Sequence, residues 1–136
     1  MGAYIQKKAY DLQSDVYGIL LVLVTVFDEE VAAQIEEREQ FLEYVDATEI
    51  LIEKAKSTAQ ALEDFLMKKG YVIPPSILEH LQDAHRELFM SAAYAESGRC
   101  GPRESADRYA HDGVDNLQTA LRKFQDHLDI KKAALG

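Results

Sequence analysis

The sequence predicts an all-α protein, an antiparallel up-and-down four-helix bundle in which one long helix carries the acid. Three observations lead there. Apolar residues recur at spacings of three and four through four segments, the pattern of helices that bury one stripe. The three Pro and five of the seven Gly lie between those segments or at their ends, as short connections require. A chain of 136 residues that is 47% apolar is long enough to bury one core, and a single domain over 1–136 is expected.

The first helix is expected over about 3–26. Its seam reads Ile5, Ala9, Leu12, Val16, Ile19, Leu23 and Val26, and Leu20, Leu21 and Val24 make the opposite face apolar as well. A helix apolar nearly all round sits centrally or at a subunit interface. Val16 to Phe27 also contains β-favouring residues, but a lone strand would have nothing to pair with. Gly18 is read as a point of close approach or as a tolerated flaw.

The second helix is expected over about 29–69, with Asp28 as N-cap and a seam of Phe41, Val45, Thr48, Ile52, Ala55, Ala59, Leu62 and Leu66. From Asp28 to Asp64 the chain holds twelve acidic residues and three basic ones, a difference equal to the net charge of −9 for the whole chain. Lys68 and Lys69 suit the helix end, and Gly70 is expected in a left-handed cap. No Gly, Pro or Asn closes the first helix, so a continuous rod through the junction is the alternative.

Tyr71 to Pro75 reads as an extended connector, and Ser76 with Glu79 as a capping box opening a third helix over about 77–97. Its seam is Ile77, Leu81, Ala84, Leu88, Ala92 and Ala95. The fourth helix, about 102–134, starts on Pro102 and carries Ala110, Val114, Leu117, Leu121, Phe124 and Leu128, with a kink expected at Asp112-Gly113. At 1.5 Å per residue the second helix would span about 60 Å against about 30 Å for the third. Part of it must overhang, bend or pack on another subunit.

The charge of −9 disfavours direct contact with nucleic acid or an anionic membrane, which need clustered Lys and Arg. Cys100 is the one cysteine, which excludes an intrachain disulfide and fits a reducing compartment. The apolar run Val16 to Phe27 is shorter than the roughly 20 residues of a spanning helix and has no cleavage-like end. A cytoplasmic protein is expected.

Chemistry-bearing groups are sparse. No Glu has His three residues on, as carboxylate-bridged di-metal bundles require, and His80 and His85 are poorly spaced to share a metal. Asp107, His111 and Asp115 form a stripe at intervals of four that can orient an imidazole or hold an ion, or simply form a solvated charge ladder. Cys100 lies beside Arg99 and Arg103, the setting that lowers a thiol pKa. No cofactor and no metal are expected.

Arg108-Tyr109-Ala110-His111 resembles the Arg…His signature of the HEPN superfamily, all-helical domains that include ribonucleases of toxin and defence systems, with a shorter spacing than the family's. The resemblance implies a ribonuclease or toxin–antitoxin component in which Arg108 or Arg103 contacts phosphate and His111 is the general acid or base, with Asp115 beside it.

The expected function is instead a non-enzymatic interaction module, self-associating, whose acidic face of Asp28, Glu29, Glu30, Glu36, Glu37, Glu39, Glu43 and Asp46 meets a basic protein partner. An inhibitor, immunity or anti-defence role suits such a surface. A structural subunit of a larger complex, docked through the first helix, is the remaining alternative.

Overall fold

The structure is a computed structural model that describes residues 2–41, 44–97 and 102–136, with side chains of the last segment from Ser105 onward. It is a bundle of four antiparallel helices: α1 (Gly2–Glu39), α2 (Ala47–Lys69), α3 (Pro75–Ser97) and α4 (Pro102–Leu135). Side-chain bonds fix the directions. Gln13 near the start of α1 reaches Val72 beyond the end of α2, while Arg38 at the end of α1 reaches Glu53 early in α2. Ser91 late in α3 bonds the carbonyl of Ala106 early in α4.

The boundary expected at residues 27–28 is absent, and the helix expected over 29–69 is two pieces. α1 runs straight through Asp28 because its buried seam of Val16, Leu20, Val24 and Phe27 continues across that point and nothing there breaks the backbone ladder. The chain turns instead after Glu39, and Asp46 opens α2: its backbone is extended and its carboxylate accepts from the Thr48 N–H at 3.0 Å. Asp46 followed by Glu49 is a capping sequence legible in the chain. The acidic stretch therefore belongs to the end of α1 and not to a long second helix.

The lengths change accordingly. α1 and α4 have 38 and 34 residues, about 57 and 51 Å, and α2 and α3 have 23 each, about 35 Å. Two long helices lie side by side, and a shorter hairpin packs against them. At one end the exposed first turns of α1 and last turns of α4 project past the α2–α3 connection.

Two seams are also corrected. α1 buries Leu20 and Val24, placed by sequence on the outer face, and leaves Ile5, Leu12, Ile19 and Val26 exposed. Both faces of this helix are apolar, so hydrophobicity alone could not choose between them. In α2 the buried positions are Ile50, Ala55, Thr58, Ala59, Leu62 and Phe65, while Phe41, outside the helix, is 80% exposed. The α3 and α4 seams hold almost throughout, gaining Glu87 and Ser91 in α3 and Ala106 and Ala120 in α4.

Three local expectations change as well. Gly70 is right-handed and leads into a 3-10 turn, Gly70–Val72; Ile73 after it is extended and buried. α3 starts at Pro75, whose missing N–H costs nothing in a first turn, so Ser76 lies inside the helix. α4 continues through Gly113, where an added Cβ would stand 2.8 Å from Leu88 Cγ. That glycine admits α3 instead of kinking α4.

One hydrophobic cluster draws on all four helices, from Val16 and Leu20 through Leu62, Leu81 and Leu88 to Phe124 and Leu128. Among the described residues no helix is long and apolar enough to cross a membrane.

Candidate functional site

The predicted acidic face is built on the last three turns of α1. Asp28, Glu29, Glu30, Glu36, Glu37 and Glu39 are set against Arg38 alone. Their surroundings divide them. Glu30 reaches Lys54 at 3.7 Å, and Arg38 bonds Glu53 at 2.6 Å, a contact that raises the guanidinium pKa further. Partial burial raises the Asp28 carboxyl above its ordinary value, opposed by a hydrogen bond from the Gln118 side chain.

Glu29, Glu36, Glu37 and Glu39 are exposed and make no salt bridge among the described residues. Three of them lie in the final turn, at the negative end of the helix dipole, where cations are favoured and carboxylates are not. Arg38 is the only basic residue in that turn, and it is turned to α2. Asp46, placed by sequence on the same face, is occupied as the α2 cap, and Glu43 lies outside the described residues.

The stripe on α4 does not converge on a ligand. His111 Nε2 lies 3.0 Å from Thr48 Oγ1, which ties α4 to the first turn of α2. The Arg108 guanidinium stands over the Tyr109 ring at 5.3 Å, and Tyr109 stacks on Tyr94 at 5.7 Å. Asp115 is exposed. Among the described residues no three His, Cys, Asp or Glu side chains come together to hold a metal, since residues four apart on one helix line up along it without closing on a point. Cys100 and Arg99 lie outside the described residues, as does the Arg103 side chain.

Sequence reasoning missed a polar chain between α3 and α4. Asn116 donates its amide to both oxygens of Glu87, at 3.1 and 2.9 Å, and His80 Nδ1 lies 3.1 Å from Asn116 Oδ1. The amide nitrogen is committed to a carboxylate, so Oδ1 accepts and His80 Nδ1 carries the proton. His80 Nε2 is then a lone pair, which Lys123 Nζ fills at 2.9 Å. Glu87 is buried, and burial, aided by Asp112 and Asp83, pushes its carboxyl pKa up against the Asn116 bond and Arg86. The signal was present: Glu87 continues the spacing of Ala84 and Ser91, and Asn116 that of Gly113 and Ala120. Every atom of the chain is used within the fold, and its effect is to fix the α3–α4 register.

A crevice of about 430 Å³ opens between the projecting ends of α1 and α4, lined by Tyr10, Pro74, Pro75, His127, Lys131 and Leu135 among others. At its floor Gln13 donates to Val72 O at 3.1 Å and accepts from His127 Nε2 at 3.0 Å, joining three elements. Burial, then the nearby Lys131, lowers the His127 pKa. A shallower groove of about 280 Å³ runs between α1 and α2 past Leu23, Val26, Phe27, Glu30 and Thr58.

No protein-family model matches the chain, and neither a curated protein nor a solved structure matches it.

Proposed function

We propose that the chain is a non-enzymatic interaction module that self-associates and presents the end of α1 to a basic protein surface. The observation that carries this reading is the unfavourable electrostatics of that end: Glu36, Glu37 and Glu39 crowd the negative pole of the helix dipole with one compensating residue, Arg38, already bonded to Glu53. A cationic partner relieves both the carboxylate repulsion and the clash with the dipole. Complementary charge of this kind acts mainly on the rate of encounter. An inhibitor or immunity role, in which the acid occupies a groove that otherwise holds nucleic acid, follows from the same chemistry.

The test uses an arginine- and lysine-rich peptide as probe. Its association rate with the chain should fall steeply as salt rises, and Glu29→Gln, Glu36→Gln, Glu37→Gln and Glu39→Gln combined should slow it about tenfold or more. A rate indifferent to both overturns the reading.

A further inference from the structure

α1 carries a second apolar stripe that the bundle does not use. Ile5, Leu12, Ile19 and Val26 repeat at seven residues, joined by Val22 and followed by the exposed Ala33. Their side chains are 43–62% exposed, although each is large and branched. A strict seven-residue repeat drifts slowly around a straight helix and supplies one of the two seam positions of a left-handed supercoil; the other falls on Lys8, Asp15, Val22 and Glu29. Beside it lies the groove between α1 and α2, which shares Val26 with the stripe and adds Leu23 and Phe27. A Cβ added at Gly18, the nearest glycine, would meet no atom within 4 Å among the described residues.

The charges along α1 are arranged end against end. Lys7 and Lys8 share its first half with Asp11 and Asp15, which leaves that half neutral, while Asp28 to Glu39 hold six acids against Arg38. Two parallel copies would lay acid on acid, and a membrane surface rich in anionic lipid would meet the same acid. An antiparallel pair does the opposite. With a two-fold axis near Ile19, Leu12 of one copy lies near Val26 of the other, Ile5 near Ala33, and Lys8 near Glu30. The apolar stripe meets itself with one Lys8–Glu30 pair on each side of the axis, the same patch on both copies, as an isologous interface requires. The Glu30 side chain is 52% exposed beside Lys54 at 3.7 Å, so a second cation can reach it.

We infer that the occupant of this stripe is a second copy of the chain, docked antiparallel through α1, with Val22 and the α1–α2 groove at its edge. This deepens the self-association named above and rests on it. In this register Lys7 and Lys8 of the second copy face Val31 and Glu30, so Glu36, Glu37 and Glu39 lie past them and keep their negative charge uncompensated.

The experiment is molar mass by sedimentation or light scattering on the full chain at micromolar concentration. The expected result is a dimer, weakened about a hundredfold or more by Ile19→Glu with Val22→Glu; both positions are exposed, so helicity and the unfolding midpoint of the monomer should be retained. Orientation is read in a Cys100→Ser background. A mixture of Lys8→Cys and Glu30→Cys chains should form the mixed disulfide, and Lys8→Cys alone should not pair with itself. A monomeric wild type overturns the inference, as does a monomer that floats with anionic vesicles, a dimer indifferent to the Ile19 and Val22 changes, or self-pairing of Lys8→Cys. A monomer that still binds the basic peptide removes this inference and leaves the acidic-face reading standing. An antiparallel dimer that ignores the peptide supports the inference and removes that reading.

Discussion

α1 is the most apolar of the four helices and α4 the least, yet the α3–α4 pair is the tightest in the molecule and α1 the most loosely held. Placement of small residues decides this. Ala84, Ser91 and Ala92 on α3 face Ala106, Ala110, Gly113 and Ala120 on α4, all buried, and the backbones approach until a Cβ at Gly113 would stand 3.3 Å from the Leu88 nitrogen. The Ser91 hydroxyl donates to Ala106 O at 2.7 Å across the gap. α1 buries one seam of four residues and leaves Tyr4, Ile5, Leu12, Ile19, Leu21, Val22 and Val26 exposed. Apolar content sets how much a helix can bury; side-chain size on the seam sets how close a neighbour comes.

Core deletions should expose this contrast most strongly. Phe124→Ala, at a fully buried α4 position packed edge-on against Tyr17 at 5.5 Å, should cost about 3–5 kcal/mol in urea unfolding. Ile19→Ala on the outer face of α1 should change the monomer by less than about 0.5 kcal/mol; equal costs would mean that α1 is held as firmly as α4.

The two helical glycines give the next largest effect, with opposite signs. Gly113→Ala forces a Cβ against Leu88, itself fully buried, and should destabilise by about 1–3 kcal/mol. Gly18→Ala meets nothing and should stabilise by up to about 1 kcal/mol. Thermal midpoints moving in the same direction would sink the argument.

Ser91→Ala removes the buried bond to Ala106 O and should lose about 1 kcal/mol. An unchanged midpoint would show that packing alone holds α3 to α4.

Smallest are two pH effects. Burial raises the Glu87 pKa above 4.5, so the folded chain binds that proton more tightly than the unfolded chain does. Its contribution is most favourable at or below pH 4.5 and is lost as pH rises through the folded pKa. Glu87→Gln should therefore gain more relative to wild type at pH 7 than at pH 4.5. His127 runs the other way: burial lowers its pKa below 6.5, so stability is held above pH 6.5 and lost as pH falls through the folded value. His127→Gln should flatten the stability profile below pH 6.5. A mutant-to-wild-type difference that does not vary with pH contradicts either assignment.

Much of the fold was legible in the chain. The α3 and α4 seams are amphipathic with one apolar stripe each, so period and burial coincide from Ile77 to Ala92 and from Ala110 to Leu128. α1 failed because two stripes competed, and the α1–α2 boundary failed because Asp28 with its following acids looked like a start while Asp46 with Glu49 was the start used. The acidic face was half legible: Asp28, Glu29, Glu30, Glu36, Glu37 and Glu39 are exposed, but whether a carboxylate there pairs with a base depends on residues fifteen or more positions away, as Arg38 with Glu53 shows. For the Glu87–Asn116–His80–Lys123 chain the seam spacing of Glu87 and Asn116 was legible, but their pairing across 29 positions was not.

By itself the sequence determined that the chain is helical, that α4 begins at Pro102, which faces α3 and α4 bury, and that the acid is concentrated between Asp28 and Asp64. These follow from local periodicity and capping, which act over one or two turns. Only the tertiary structure decided that the acidic run is split by a turn, that α1 turns Leu20 and Val24 inward and Ile19 and Val22 outward, and that Gly113 is a contact rather than a kink. Those outcomes are set by which neighbour can come close. That is a property of pairs of helices, which no single segment encodes.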